Sequence, residues 1–126
     1  MLVAGALLTA AFSASSFAEG FTEEQAAAGK AKYGQNCQRC HAGDLTGNSP
    51  FPPLTGDGFF SRWSGRTAAD LFNFVSSRMP FDRPGQLDKQ DYLDIVAYWL
   101  SFQGYAPGNE ALTSGNLSGV EIQPQS

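Results

Sequence analysis

The stretch Gln35-Asn36-Cys37-Gln38-Arg39-Cys40-His41-Ala42-Gly43 decides how the rest of this chain is read. Cys37 and Cys40 are the only cysteines in 126 residues, and His41 is the only histidine. Two thiols and one imidazole confined to five consecutive positions point to a single site built locally, with its chemistry set by the spacing C-x-x-C-H.

A disulfide between Cys37 and Cys40 suits an exported protein, but it would close a tiny, strained loop and leave His41 without a role. A thioredoxin-like redox pair calls for a βαβ context, and the sequence contains no convincing strand. A zinc site needs four ligands, and no further Cys or His exists to complete the set. C-x-x-C-H is instead the attachment signature of c-type haem. Two thiols add to the two vinyl groups on one edge of the porphyrin, and two intervening residues on a helical turn set the sulfur separation. The next residue then carries its imidazole beneath the ring, where it ligates iron.

Haem iron takes a sixth ligand or keeps an open position. With no second histidine, bis-histidine ligation is excluded. Met1 and Met79 are the only thioethers, and Met1 lies in the apolar leading segment. Met79 stands at the end of a helical pattern, immediately before Pro80, where the backbone is restricted. It is the candidate axial ligand, against the competing reading of a methionine that fills core space. A Met/His pair raises the potential of the iron.

The composition agrees with one small domain around a flat apolar group. Ten Phe, four Tyr and two Trp are many aromatics for the length, and they supply walls. Lys and Arg total 8 against 12 Asp and Glu, a net charge of −4. Nucleic acid, which needs a clustered basic surface, is therefore not an expected partner.

Residues 1–18 (MLVAGALLTAAFSASSFA) are uncharged and end in Ser16-Phe17-Ala18, a small-x-small cleavage pattern. They read as a secretory signal peptide. The alternative is an uncleaved anchor, for which the stretch is short and weakly apolar. Either reading exports the folded part, and a periplasmic location is expected. A membrane is then reached only through a partner or an uncleaved N-terminus. The domain is expected over 19–104, with an extended Gly/Ser/Asn-rich tail over 105–126.

Three helical patterns are separated by Gly/Pro-rich loops, which predicts an all-α fold. The first opens with the capping-box form Thr22-Glu23-Glu24-Gln25. Gly29 lies inside it, at a cost of about 1 kcal/mol against alanine, which makes sense if another helix crosses closely there. Residues 42–66 hold five glycines and three prolines and read as one long loop. The second helix runs from Thr67 to Met79. The third is capped by Asp88, carries Tyr92, Ile95, Val96, Trp99 and Leu100 on one stripe, and ends by Gly104.

Over residues 21–104 the chain resembles a class I c-type cytochrome. The order of features matches: a first helix with Gly29 and Tyr33, C-x-x-C-H at 37–41, Pro52-Pro53-Leu54-Thr55-Gly56, Met79-Pro80, and a last helix with Ile95-Val96-Ala97-Tyr98-Trp99. The resemblance implies one haem c held by Cys37 and Cys40, with His41 and Met79 on the iron and the first and last helices crossing at Gly29. It implies that the Pro52 carbonyl, or Pro53 in its place, accepts a hydrogen bond from His41. It places Trp63 at a haem propionate or in the wall, and makes Phe51, Phe59, Phe60, Phe72, Phe74 and Phe81 wall residues. Arg39, Arg78, Asp82 and Arg83 flank the motifs as ordinary solvated charges or as a docking surface.

The chain lacks a lysine-rich face and carries a longer tail than the mitochondrial type. Segments such as PPLTGDGF and MPFDRPGQL are more similar to cytochromes attached to bacterial periplasmic dehydrogenases. The implied function is one-electron transfer, not catalysis. Electrons would pass from a dehydrogenase, with this chain as its subunit or redox partner, to a terminal oxidase or another acceptor. The alternative is a haem-based gas sensor with an open sixth position.

Overall fold

A computed structural model describes Gly5 and residues 20–125. The signal segment expected over 1–18 lies, Gly5 apart, outside the described residues. Among the described residues five helices follow one another: α1 (Glu23–Asn36), α2 (Gln38–His41), α3 (Gly56–Trp63), α4 (Ala68–Arg78) and α5 (Lys89–Phe102). A single 3-10 turn at Leu117–Gly119 follows. Among the described residues there is no strand, only isolated bridges between Asn48 and Phe51 and between Thr67 and Glu121. The fold is all-α.

The first and last helices form the frame. α1 packs against α5 more extensively than any other pair of helices meets, and Gly29 is the point of closest approach. A Cβ at Gly29 would overlap the Asp94 carbonyl and stand 2.8 Å from the Tyr98 Cβ. Here the intrinsic penalty of a helical glycine is outweighed by backbone-to-backbone contact that no other residue permits. Beside it Tyr33 and Tyr98 pack with ring centroids 5.5 Å apart. On α5, Tyr92, Ile95, Val96, Trp99 and Leu100 are all buried, as their spacing predicts.

The caps differ in kind. At α4 the box is complete: the Thr67 hydroxyl accepts from the Asp70 amide at 3.2 Å, and the Asp70 carboxylate accepts from the Thr67 amide at 2.9 Å. At α1 only half of it forms. Thr22 Oγ1 accepts from the Gln25 amide at 3.1 Å, but the Gln25 side chain turns away to the Leu112 backbone. It donates to the Leu112 carbonyl at 2.9 Å and accepts from the Leu112 amide at 2.6 Å. Asp88 stands at the N-cap of α5 without a side-chain capping bond, so the capping expected of it is absent.

The long loop expected over 42–66 is interrupted by α3. Its glycines and prolines argue against helix, yet Phe59 and Trp63, four residues apart, are both buried. Phe59 packs on Trp99 at 5.7 Å and Trp63 on Phe74 at 5.5 Å. Burial of two large aromatics, worth about 1.5–3 kcal/mol for a side chain of this class, exceeds the propensity penalty of Gly58. Gly58 itself is needed, because a Cβ there would meet the Pro53 ring at 2.5 Å.

Residues 105–125 lie back across the helical body. Leu112 and Ile122 are fully buried. Backbone bonds run from Ile122 N to Arg66 O at 2.8 Å, from Gly65 N to Ile122 O at 2.9 Å and from Ala68 N to Val120 O at 2.8 Å. The tail thereby covers the turn between α3 and α4, while Leu112 is fastened to the start of α1 by Gln25.

Candidate cofactor site

α1 delivers the chain to Cys37, where the backbone leaves the helix at φ −125°, and α2 carries Arg39, Cys40 and His41 through one turn. This turn opens onto a cavity of about 290 Å³. Cys37, Cys40 and His41 line it from one element, Met79, Pro80 and Phe81 from the segment after α4, and Ile95 and Trp99 from α5. Pro50, Phe51, Pro52 and Leu54 close a further side. A second cavity of about 100 Å³ shares His41, Pro52, Leu54, Val75, Met79 and Trp99 with the first. It continues past Phe59, Arg62, Trp63, Leu71 and Phe74. The two form one apolar cleft with His41 and Met79 on both parts.

His41 is buried, and its Nδ1 lies 2.9 Å from the Pro52 carbonyl. A carbonyl only accepts, so Nδ1 carries the proton and Nε2 keeps its lone pair for a metal. Such a bond to the far nitrogen fixes the ring and makes the ligand more basic. Phe51 packs edge-on to the imidazole at 6.4 Å.

Met79 is half-buried at the C-cap of α4, in extended backbone at φ −118°, ψ 155°. Its amide still bonds to the Val75 carbonyl at 2.9 Å. Its carbonyl accepts from the Tyr92 hydroxyl at 2.6 Å and from the Gly85 amide at 3.2 Å. The same hydroxyl accepts from the Leu87 amide at 3.2 Å. Tyr92 thus holds both ends of the segment that presents Met79. Sequence reading treats Tyr92 only as a core aromatic, although its polar tip within an apolar stripe is a signal for such a role. Trp99 and Gln103 act similarly at Leu54. The Trp99 indole and the Gln103 amide each donate to the Leu54 carbonyl at 2.6 Å, fixing the loop next to Pro52.

Cys37 and Cys40 are unbridged. Burial, with a smaller contribution from the neighbouring Cys40, pushes the Cys37 thiol up to about 12. Redox-exchanging thiols have lowered values, whereas that of Cys37 is raised. Among the described residues no group of three or more His, Cys, Asp or Glu could hold a metal ion, as a zinc site would require. Tyr33, raised well above the usual phenol value chiefly by burial, donates to the Ala42 carbonyl at 2.6 Å and braces the residue after His41.

Of the aromatics expected as walls, Phe51, Phe59, Phe74 and Phe81 line the cleft. Phe60 and Phe72 do not: Phe60 packs edge-on against Phe59 at 5.1 Å, and both lie against the core from outside. Trp63 is a buried wall residue. Arg39, Asp82 and Arg83 border a groove with Cys40, Phe51 and Phe81, and Arg83 pairs with Asp82 at 3.8 Å. Arg78 stands apart from them, over the Phe74 ring.

Two unbridged thiols, an imidazole with Nε2 available and a thioether share one cleft walled by aromatic and aliphatic side chains. This donor set fits haem c.

A search of the curated proteins found no match. Among solved structures, the sulfane dehydrogenase SoxCD from Paracoccus pantotrophus superposes at a TM-score of 0.65 with 25% identity. The match covers 82% of this chain and 53% of that one, so the chain spans about half the length of the solved chain it resembles. The family described as cytochrome c oxidase, cbb3-type, subunit III matches residues 24–98. These residues run from the start of α1 to within α5 and include the whole C-x-x-C-H turn and Met79. With more than half of its length matched, the chain belongs to that family of c-type cytochrome domains, whose cofactor is haem c and whose role is to carry electrons.

Proposed function

We propose that this chain is a single-haem, one-electron relay exported to the periplasm. It takes electrons from a dehydrogenase, as that enzyme's subunit or redox partner, and passes them to a terminal oxidase or another acceptor. The observation that carries the reading is the meeting of four groups in one cleft: Cys37, Cys40, His41 and Met79. The name of the solved relative supports a dehydrogenase on the reducing side, and the family's name supports an oxidase as acceptor.

Haem c, when bound, supplies a reversible ferrous–ferric couple. The chain's own residues do the rest. Cys37 and Cys40 would hold it as thioethers, and His41 would ligate through Nε2 while Pro52 keeps the ring in place. Met79 would supply the thioether ligand, which favours ferrous iron. Leu54, Val75, Ile95 and Trp99 exclude water from the cleft. Phe81 is 74% exposed at the mouth of the cleft, an apolar contact for a docking partner beside the cysteine edge.

The test is spectroscopic. The purified protein should retain its pigment in acidified organic solvent. Oxidised, it should be low-spin with a far-red methionine–iron band, and Met79→Ala should lose that band, bind CO when reduced and have a lower potential. Rapid CO binding by the unsubstituted ferrous protein would overturn the relay in favour of an open-site sensor. Mild pull-down from periplasm or membranes then identifies the donor and acceptor.

A further inference from the structure

Among the described residues two large hydrophobic side chains are exposed, Phe81 and, at 42%, Phe102. Phe81 stands at the mouth of the cofactor cleft. Phe102 ends a row of rings that starts in the same cleft. Tyr33 is on the cleft wall, and its ring centre lies 5.5 Å from that of Tyr98. Tyr98 in turn meets Phe102 edge-on at 6.2 Å. Both spacings are those of rings in direct contact. Tyr33 is buried, Tyr98 half-buried and Phe102 exposed, so the row leads outward from the cleft through the α1–α5 crossing. Gly29 makes room for it, since a Cβ there would stand 2.8 Å from the Tyr98 Cβ.

The row opens into a groove of about 630 Å³ whose lining includes Ala27, Tyr98, Phe102 and Pro107. This groove shares no residue with the cofactor cleft or with the groove at the cysteine edge, so it belongs to another face. Its charges are Glu23 and Asp44 against Lys30, and a neighbouring groove that meets it at Glu23 and Pro107 adds Glu24. The ion pairs among the described residues are Lys32 with Asp91 and Arg83 with Asp82, so none of these three acids is neutralised by one. The groove at the cysteine edge has the opposite balance, Arg39 and Arg83 against Asp82.

We propose that the groove at Tyr98 and Phe102 is a second electron port, joined to the cofactor cleft by the Tyr33 and Tyr98 rings, and that it docks a redox protein whose electron-exchanging edge is apolar and ringed by basic residues. This rests on the relay reading above and adds a face to it. A relay with one port must release its donor before it meets its acceptor. Two faces of opposite charge hold both at once, because each attracts a partner that the other repels. One electron passes between the docked partner and the iron. The rings stay neutral and act only as the packed medium between them. The Tyr33 hydroxyl donates to the Ala42 carbonyl at 2.6 Å, and a carbonyl accepts that bond without taking the proton.

Light-driven electron transfer from fixed points provides the test. His41 is the only histidine and is buried. A histidine introduced by Ala27→His in the groove, or by Gln35→His at the cysteine edge, therefore carries a photo-reducing ruthenium polypyridyl label at that point alone. Flash reduction of the holoprotein is followed at the haem absorption. From position 27, Tyr98→Leu should slow it severalfold, and Tyr98→Phe, which keeps the ring, should restore the rate. From position 35 both variants should match the unsubstituted protein. An unchanged rate from position 27 in Tyr98→Leu, or equal slowing from both positions, would overturn the port. Docking is read separately with zinc-substituted lysine-rich cytochrome c as a basic, photo-excitable donor. At low salt its transfer should slow severalfold in Phe102→Ser, and about tenfold or more in Glu23→Lys/Glu24→Lys, the scale of electrostatic steering. Added salt should shrink the second difference, and indifference to both changes would overturn the proposal. If Tyr98→Leu does not accumulate, this measurement, which leaves Tyr98 in place, decides the matter. A colourless unsubstituted protein would be a different failure, one that removes the proposed function itself.

Discussion

Gly29→Ala separates two accounts of the same residue by the sign of its effect. If Gly29 were only a flaw in α1, alanine would add about 1 kcal/mol of helix stability. The structure predicts the opposite. The new Cβ would overlap the Asp94 carbonyl and lie 2.8 Å from the Tyr98 Cβ. The carbonyl belongs to the α5 backbone, so no rotamer change relieves the overlap and the two helices must separate. Overpacking of a tight core costs about 1–3 kcal/mol, and a rigid backbone obstacle places this case at the upper end. Subtracting the propensity gain leaves a net loss of about 2 kcal/mol. At roughly 4–8 °C per kcal/mol for a domain of this size, the melting temperature should fall by about 8–16 °C. Far-ultraviolet circular dichroism of the oxidised holoprotein through a thermal ramp measures it. The far-red band should weaken as well, since α1 leads to Cys37 and α5 carries Tyr92. An unchanged or higher melting temperature would refute the close crossing.

Other perturbations address the site and its supports. Tyr92→Phe removes the hydroxyl that bridges the Met79 carbonyl and the Leu87 amide. It should cost about 1–3 kcal/mol and lower the pH at which the far-red band disappears, whereas an unchanged band titration would show that Met79 is held without it. Gln25→Ala leaves the Leu112 amide and carbonyl without their side-chain partner. Proteolysis should then cut first within 105–125 while the haem spectrum persists, and uniform resistance would count against this fastening. The Thr67 amide, with smaller help from the Thr67 hydroxyl and Arg66, holds the Asp70 carboxyl below its usual value. Its support for α4 is therefore present above the unfolded value of about 3.9 and is lost as pH falls through the lower folded value. The stability gap between the unsubstituted protein and Asp70→Asn should close as pH drops from 5 to about 2; a gap independent of pH would contradict the capping box.

What can be read from the residues alone is whatever is encoded within a few neighbouring positions. C-x-x-C-H is a local pattern, so the site announces itself without any tertiary contact. α4 and α5 carry the 3.6-residue stripe in their own sequence, and Met79 stands out because no other thioether lies beyond the leading segment. The remaining features depend on residues distant in sequence. α3 forms against its own glycines because Phe59 finds Trp99 and Trp63 finds Phe74. Gln25 is a capping residue by pattern, but Leu112, 87 positions away, takes its side chain. The contact of His41 with Pro52, the hold of Tyr92 on Met79 and the meeting of Tyr33 with Tyr98 each join elements whose separation only the packed chain sets. Sequence spacing determined which chemistry is present, because covalent reach is short. Tertiary packing decided how that chemistry is held, because burial and hydrogen bonding act between whichever groups the fold brings together.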